Sequence, residues 1–270
     1  MTYTIPQDQV ESFHRNGYLV VKRSDHQLFT AEEIQQWCKE VESLPNEKGK
    51  WMFYNEINSK GVKQPLRVEK FIDYHEKFND LTRGEGFGSM LTQLTGQKMH
   101  VFKDKINFKY VNGNGFGAHT DAPAYTHVGD IKHLTINVAI DEATVENGCL
   151  EVVPGSHNMD VELEDNHISK KWENEHEWDL VPLEAGDLLF FGSYFAHRSG
   201  PNRSDKSRRA AYVTYHSSPE GDALRETYYA HRRIHFPPED EREAGRDYSE
   251  GYKTYGFAAP FARGDAVSTN

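Results

Sequence analysis

The first third of the chain carries a helical spacing of apolar residues with one extended interruption. One helical pattern runs over Gln7–Asn16 and stops at Gly17, after which Tyr18-Leu19-Val20-Val21 reads as a strand. A second helix is signalled by Thr30 as N-cap and Glu33 three residues on, a capping box ahead of Ile34, Trp37 and Val41, with Pro45 after the last turn. A third spans about residues 86–94 and ends near Gly96. The glycine-rich Arg83-Gly84-Glu85-Gly86-Phe87-Gly88 lacks the G-K-[ST] ending of a phosphate loop and reads as the entry to that helix.

From Val101 the period falls to two. Lys103, Lys105, Asn107 and Lys109 lie on one face of a segment whose other face carries Phe102, Ile106 and Phe108. Further strand-like runs follow at 134–140, 150–153, 188–191 and 210–215, separated by Gly- and Pro-rich turns. Such spacing predicts a mainly β fold with flanking helices, a sandwich or jelly-roll barrel and not a parallel sheet. One domain is expected over residues 1–270. It divides into a mostly helical part (1–100), a jelly-roll core (101–217) with a polar insertion at 158–179 read as a surface loop or short helix, and a C-terminal tail (218–270). From His235 onward the tail is rich in charge, Gly and Pro and reads as irregular, ordered in part against the barrel.

Composition narrows the function. Of 270 residues 37% are hydrophobic and 12% aromatic, enough for a core and too many for a disordered chain. The 31 Lys+Arg against 42 Asp+Glu give a net charge of −11, the wrong sign for gripping phosphate backbones or anionic membranes. The start of the chain lacks the basic and apolar runs of a secretion signal, and no stretch approaches the roughly 18 residues of a membrane span. Cys38 and Cys149 are the only cysteines, too few for a disulfide framework or a thiolate zinc cage, so a cytoplasmic setting is expected.

His119-Thr120-Asp121 is the only H-x-D or H-x-E in the chain. On a strand, residues two apart share a face, so both side chains can reach one metal ion. Adding His197, which follows the apolar run Leu188-Leu189-Phe190-Phe191, gives two imidazoles and a carboxylate, the facial set of non-haem iron(II). Zinc is less natural, since nothing resembles H-E-x-x-H. Further on, Arg208 and Arg209 point opposite ways on a strand. One inward guanidinium there can pair with the distal carboxylate of a dicarboxylate chelator; otherwise both are solvated edge charges.

The string Glu146-Asn147-Gly148-Cys149-Leu150-Glu151-Val152-Val153-Pro154-Gly155-Ser156-His157, with Gly186-Asp187, His197-x-Ser199, Asn202-x-Ser204 and Arg208, closely resembles the phytanoyl-CoA dioxygenase family of iron(II)/2-oxoglutarate oxygenases. The resemblance runs from about Val10 to about Ser217. It implies a double-stranded β-helix, cupin-like core, iron(II) as cofactor, and 2-oxoglutarate and dioxygen as co-substrates. It places the metal ligands at His119, Asp121 and His197, and the retained Asp121 argues against the halogenating relatives. The family's 2-oxoglutarate arginine, eleven positions after the distal histidine, falls on Arg208, and its hydroxyl partner on Ser199.

Similarity to the ectoine hydroxylase branch adds Asn107 and Phe116 beside 2-oxoglutarate, and Tyr125 beside the substrate. The segment around Lys105 and Lys109, with the run Arg67-Val68-Glu69-Lys70-Phe71-Ile72-Asp73-Tyr74-His75, is similar to bacterial members that hydroxylate 2-aminoethylphosphonate, and puts Lys105 and Lys109 beside the substrate, where they would pair with an anionic head group. The implied reaction oxidises an unactivated C–H bond of a small polar substrate, with release of succinate and CO2. The alternatives are a secondary-metabolite-tailoring oxygenase of the same class and a non-catalytic cupin-like protein that binds metal or 2-oxoglutarate.

Overall fold

The computed structural model describes residues 2–129 and 132–262. Helix α1 (Gln7–Asn16) is closed by Gly17, whose φ of 84° suits the left-handed turn and whose N–H bonds the Phe13 carbonyl. Strand β1 (Tyr18–Val21) follows, then the short α2 (Arg23–His26) and α3 (Ala31–Glu42), which begins with the Thr30/Glu33 capping box. After β2 (Met52–Ile57) and β3 (Lys63–Glu69) come α4 (Glu76–Arg83), α5 (Glu85–Thr95), β4 (His100–Lys109), β5 (Phe116–His119), β6 (His133–Ala139) and β7 (Leu150–Val152). A small hairpin of β8 (Leu163–Glu164) and β9 (His167–Ile168) precedes α6 (Lys170–Glu175). Then follow β10 (Asp179–Val181), β11 (Leu188–Gly192), β12 (His197–Ser199), β13 (Arg208–His216), α7 (Ala223–His235) and α8 (Ser249–Tyr255).

The strands form two facing antiparallel sheets, one of seven in the order β1-β11-β6-β13-β4-β3-β2 and one of four in the order β10-β7-β12-β5. This is the jelly-roll architecture. Alternation along the large sheet explains its two environments. Val68, Ile106, Phe108, Ile136, Val138, Phe190 and Val213 face outward, where Ile34, Cys38 and Val41 of α3, Phe78 of α4, and Phe87, Met90 and Leu91 of α5 cover them. Each such side chain contributes about 1.5–3 kcal/mol when withdrawn from water. Between the sheets, Leu189, Phe191, Ala210 and Tyr212 meet Leu150 and Val152. The remaining inward positions, Lys103, Lys105, Asn107, Lys109, Thr135, Asn137 and Arg208 among them, are buried and polar. Between Thr214 and Tyr215 the β13–β4 register shifts, and Phe102 falls at the skipped position, packing inward against Tyr125, His133 and Tyr228.

Three regions differ from the sequence reading. Residues 52–69 are a hairpin that extends the seven-stranded sheet, where the sequence reading has no strand. The tail is substantially helical, with α7 and α8 laid against the barrel. The polar insertion carries a hairpin and α6, and buries Ile168 and Trp172 in a small cluster with Ala118, Val153 and Ala196, so it is part of the packed structure. Among the described residues no helix is long and apolar enough to cross a membrane.

Candidate active site

His119 ends β5, and His197 opens β12 directly opposite it. Their ring centroids lie 4.1 Å apart. Asp121 stands just past the strand in helical backbone conformation, starting the 3₁₀ turn Ala122–Val128. The carboxylate therefore joins the histidines through a turn and not through strand alternation. One ligand atom from each of the three lies within 4.8 Å of the other two, and all three residues are buried.

Each histidine presents its Nε2 for a structural reason. His119 Nδ1 lies 2.7 Å from the Gly117 carbonyl, and His197 Nδ1 lies 2.9 Å from the Phe195 carbonyl. A carbonyl only accepts, so each Nδ1 carries the proton and each Nε2 keeps its lone pair. Burial, and for His119 next the neighbouring His197, hold both imidazoles below their usual pKa, as neutral ligands must be. Burial alone would raise Asp121, but Lys105 and the two histidines hold it well below the ordinary carboxylate range. Two neutral nitrogens and one carboxylate fit iron(II) with positions left for other ligands.

Arg208 and Arg209 separate as alternation requires. Arg209 turns outward to Asp141 (2.7 and 2.9 Å) and Glu42 (2.7 Å). Arg208 is buried inside the barrel with its Nε unpartnered, and no carboxylate among the described residues pairs with it. Ser199, on the same strand as His197, accepts from Lys109 Nζ at 2.9 Å. Lys109 also donates to the Gly148 and Gly200 carbonyls at 3.1 and 2.6 Å. Its three donors are thus met, and it braces Ser199 at the Arg208 end of the barrel, where Arg208 and Lys109 pair in register. Phe116 lies opposite Ser199, with its ring 5.7 Å from Lys109 Nζ.

Asn107 is one step further in, and its Oδ1 accepts from Arg67 Nε at 2.8 Å. Beyond it Lys105 reaches 4.9 Å from the Tyr212 ring and has no hydrogen bond or ion pair among the described residues. Burial, then the nearby Arg67, bring its pKa down to about 8, so it is charged at neutral pH. Tyr125 is buried in the turn after Asp121, edge-on to Phe102 at 5.2 Å, with Lys103 Nζ 5.6 Å from its ring.

Sequence reasoning placed Arg67 and Glu69 ahead of the barrel. They are in it, on β3 beside Asn107 and Lys105. Glu69 is fully buried between Arg67 (3.2 Å) and Arg232 of α7 (2.7 Å). Burial would raise its pKa, but Arg232, then Lys103 and Arg67, hold it at about 2. The alternation Leu66-Arg67-Val68-Glu69 was the available signal. The tail segment was also missed. Phe257 lies 6.2 Å from His119 between ring centroids, Gly117 N–H donates to the Ala258 carbonyl at 3.0 Å, and Ala262 N–H donates to the Asn55 carbonyl at 2.7 Å. Residues 257–262 therefore strap the mouth of the site. His176, in the insertion, stacks on Trp172 with ring centroids 3.7 Å apart.

Residues 13–210 match the family described as phytanoyl-CoA dioxygenase (PhyH). The chain belongs to this family. It is an iron(II)- and 2-oxoglutarate-dependent dioxygenase, and the facial set of that class is assembled here from His119, Asp121 and His197. Among relatives, it is 38% identical to 2-aminoethylphosphonate dioxygenase of uncultured bacterium HF130_AEPn_1, over 94% of this chain and 97% of that one. It is 39% identical to dioxygenase lolE1 of Epichloe uncinata, over 86% and 91%. It is 35% identical to methylphosphonate hydroxylase of Gimesia maris, over 89% and 91%. In fold it resembles EctD from S. alaskensis, solved with 2-oxoglutarate and 5-hydroxyectoine, at a TM-score of 0.67 and 19% identity over 79% of this chain and 76% of that one.

Proposed function

We propose that the protein hydroxylates a C–H bond of a small phosphonate of the 2-aminoethylphosphonate kind. The observation that carries this is Lys105, a buried lysine charged at neutral pH next to the metal-ligand set, whose ammonium has the Tyr212 ring at 4.9 Å but no hydrogen bond or ion pair among the described residues. An anionic ligand that reaches this ammonium supplies the hydrogen-bonded ion pair that the protein itself does not give it. The surroundings point the same way. Arg67, Lys105, Arg208 and Arg232 line the interior with Glu69 and Asp121, while burial pushes the Lys103 pKa well below the usual lysine range. After a 2-oxoglutarate dianion is seated at Arg208, the Lys105 ammonium remains for a second anion. Two of the relatives reported above take a phosphonate by name, which supports the same class.

In this reading His119, Asp121 and His197 hold the iron, Arg208 and Ser199 take the distal carboxylate of 2-oxoglutarate, and Asn107 and Phe116 flank it. Lys105 and Tyr125 face the substrate, while Lys109 positions Ser199. Iron(II) held there would activate dioxygen, which is the oxidant: one oxygen atom would go to succinate as 2-oxoglutarate loses CO2, and the other to the substrate, whose C–H bond would become C–OH. The chain's own part is to keep both imidazoles neutral, hold the two anions apart and shut water out behind the strap.

The test is succinate release in parallel with phosphorus NMR of the products. Succinate formation is expected to rise with 2-aminoethylphosphonate and to be accompanied by one hydroxylated phosphonate per succinate. Ethanolamine, which lacks the phosphonate, should have no effect. Equal stimulation by ethanolamine, or none by any small phosphonate, overturns the proposal.

A further inference from the structure

Arg67 of β3 decides which way the Asn107 amide faces. The two residues pair in register, and a guanidinium only donates, so the atom that meets Arg67 Nε at 2.8 Å is the amide oxygen. The Nδ2 donors of Asn107 meet no acceptor among the described residues. Carboxylate and keto oxygens only accept, so 2-oxoglutarate can use this amide in the orientation that Arg67 imposes and not in the flipped one.

Arg67 is itself held from several sides. Its guanidinium lies 4.9 Å from the ring of Phe261 in the strap and 5.7 Å from the ring of Phe116. Its Nη1 donates to Glu69 Oε1 at 3.2 Å, and the same oxygen accepts from Nη2 of Arg232 on α7 at 2.8 Å. Glu69 and Arg232 are both 0% exposed, and Arg232 is packed against the rings of Tyr54, Phe236 and Tyr255. A run of contacts thus leads from α7 through Glu69 and Arg67 to Asn107, and none of it passes through a metal ligand.

Holding α7 on the barrel does not by itself call for such a triad, because apolar side chains of similar volume often serve as well or better. What they cannot do is fix a guanidinium. We infer that Glu69 is a positioning residue for the keto acid: by tying Arg67 to Arg232 it keeps the Asn107 N–H groups toward 2-oxoglutarate, so that α7 acts on co-substrate affinity through β3. The inference rests on the placing of Asn107 beside 2-oxoglutarate in the proposed function and adds what sets that amide.

Charge alone forecasts the opposite of positioning, since removing a carboxylate from a cavity that takes a dianion tightens binding. The full chain is titrated anaerobically with iron(II), followed by calorimetry, and then with 2-oxoglutarate, followed by the visible band of the chelate. Glu69→Gln is expected to raise the 2-oxoglutarate midpoint about fivefold or more while the iron(II) midpoint stays unchanged. In Asn107→Ala, itself weaker for 2-oxoglutarate, adding Glu69→Gln should cause no further loss. If Glu69→Gln does not fold, Arg67→Lys, which keeps the charge without the planar fork, carries the same comparison. An unchanged or tightened 2-oxoglutarate midpoint in the single variant overturns the inference. So does an additive loss in the double variant, or a parallel loss of iron(II) binding, which would give the residue a general structural role. Failure of the underlying reading looks different: Asn107→Ala alone then leaves the 2-oxoglutarate midpoint at the wild-type value, and the inference falls with it.

Discussion

Arg208 and Arg209 are chain neighbours that β alternation sends to different tasks. Arg209 closes an outward network with Asp141 and Glu42, whereas Arg208 waits inside without a carboxylate. A charge-assisted pair is worth about 1.5–3 kcal/mol, so Arg208→Ala is expected to weaken 2-oxoglutarate binding about 10- to 150-fold, read as the midpoint of an anaerobic titration. Arg209→Ala should leave that midpoint unchanged and lower the melting temperature instead. Equal effects of the two variants on the midpoint would contradict the assignment. Much at this scale is legible: the H-x-D pair and His197 come from the residues themselves, and Arg208 over Arg209 from the family resemblance, which counts eleven positions from the distal histidine. Lys109 shows where spacing falls short. Its place on the lysine face was readable, but not that Ser199 and two carbonyls would occupy its three donors, since those partners lie some 40 and 90 residues away in the chain.

Among the elements, the cover made by α7, α8 and the 3₁₀ turn after Asp121 carries its own pH response. His127 of the turn stacks on His231 of α7 at 4.1 Å, His231 stacks on His235 at 4.1 Å, and Tyr255 of α8 lies within hydrogen-bond distance of both His127 and His231. Burial, then His231 and His235, with Arg232 contributing, bring His127 down to about 4. Between pH 6.5 and about 4 the unfolded chain binds a proton at this site and the folded chain does not. Stability from the cover is therefore complete above pH 6.5 and declines as the pH falls toward 4. Hydrogen exchange, corrected for intrinsic rates, should show α7 and α8 opening more readily at pH 5 than at pH 7.5, while β4 and β6 stay protected. A uniform response across all four would contradict it.

The strap offers a second element-scale prediction. Phe257→Ala removes a ring that lies beside His119, and should let water in, raising succinate formed per hydroxylated product above one. A ratio held at one would show that the ring does not shield the site. These elements were the hardest to read ahead of the structure. β3 contains Pro65 and turns Arg67 and Glu69 into the barrel, so its polar residues are the buried ones and the usual signal is inverted. The helices of the tail draw their stability from aromatic contacts such as Tyr228 against Phe102 and Tyr255 against Phe236, which no local pattern reveals.

At the scale of the whole molecule, an outward apolar face clad in helices holds a rigid sheet whose inner face can then be polar. The alternation from Val101 onward made the jelly roll legible. The chemistry inside it depends on the pairing of strands far apart in sequence, and that became visible only in three dimensions. A ligand that binds the folded state alone adds about 2.7 kcal/mol at a hundredfold excess over Kd, so iron(II) plus 2-oxoglutarate should raise the melting temperature by several degrees. His119→Ala should abolish that gain.

The central claim is that His119, Asp121 and His197 present one metal to a keto acid seated on Arg208. Its most direct test is an anaerobic titration of iron(II), then 2-oxoglutarate, followed by the weak visible charge-transfer band of a bidentate keto-acid chelate. The band should appear in the wild-type chain, vanish in His119→Ala and require far more 2-oxoglutarate in Arg208→Ala. Iron-loaded wild-type protein that gives no band at saturating 2-oxoglutarate would contradict the account.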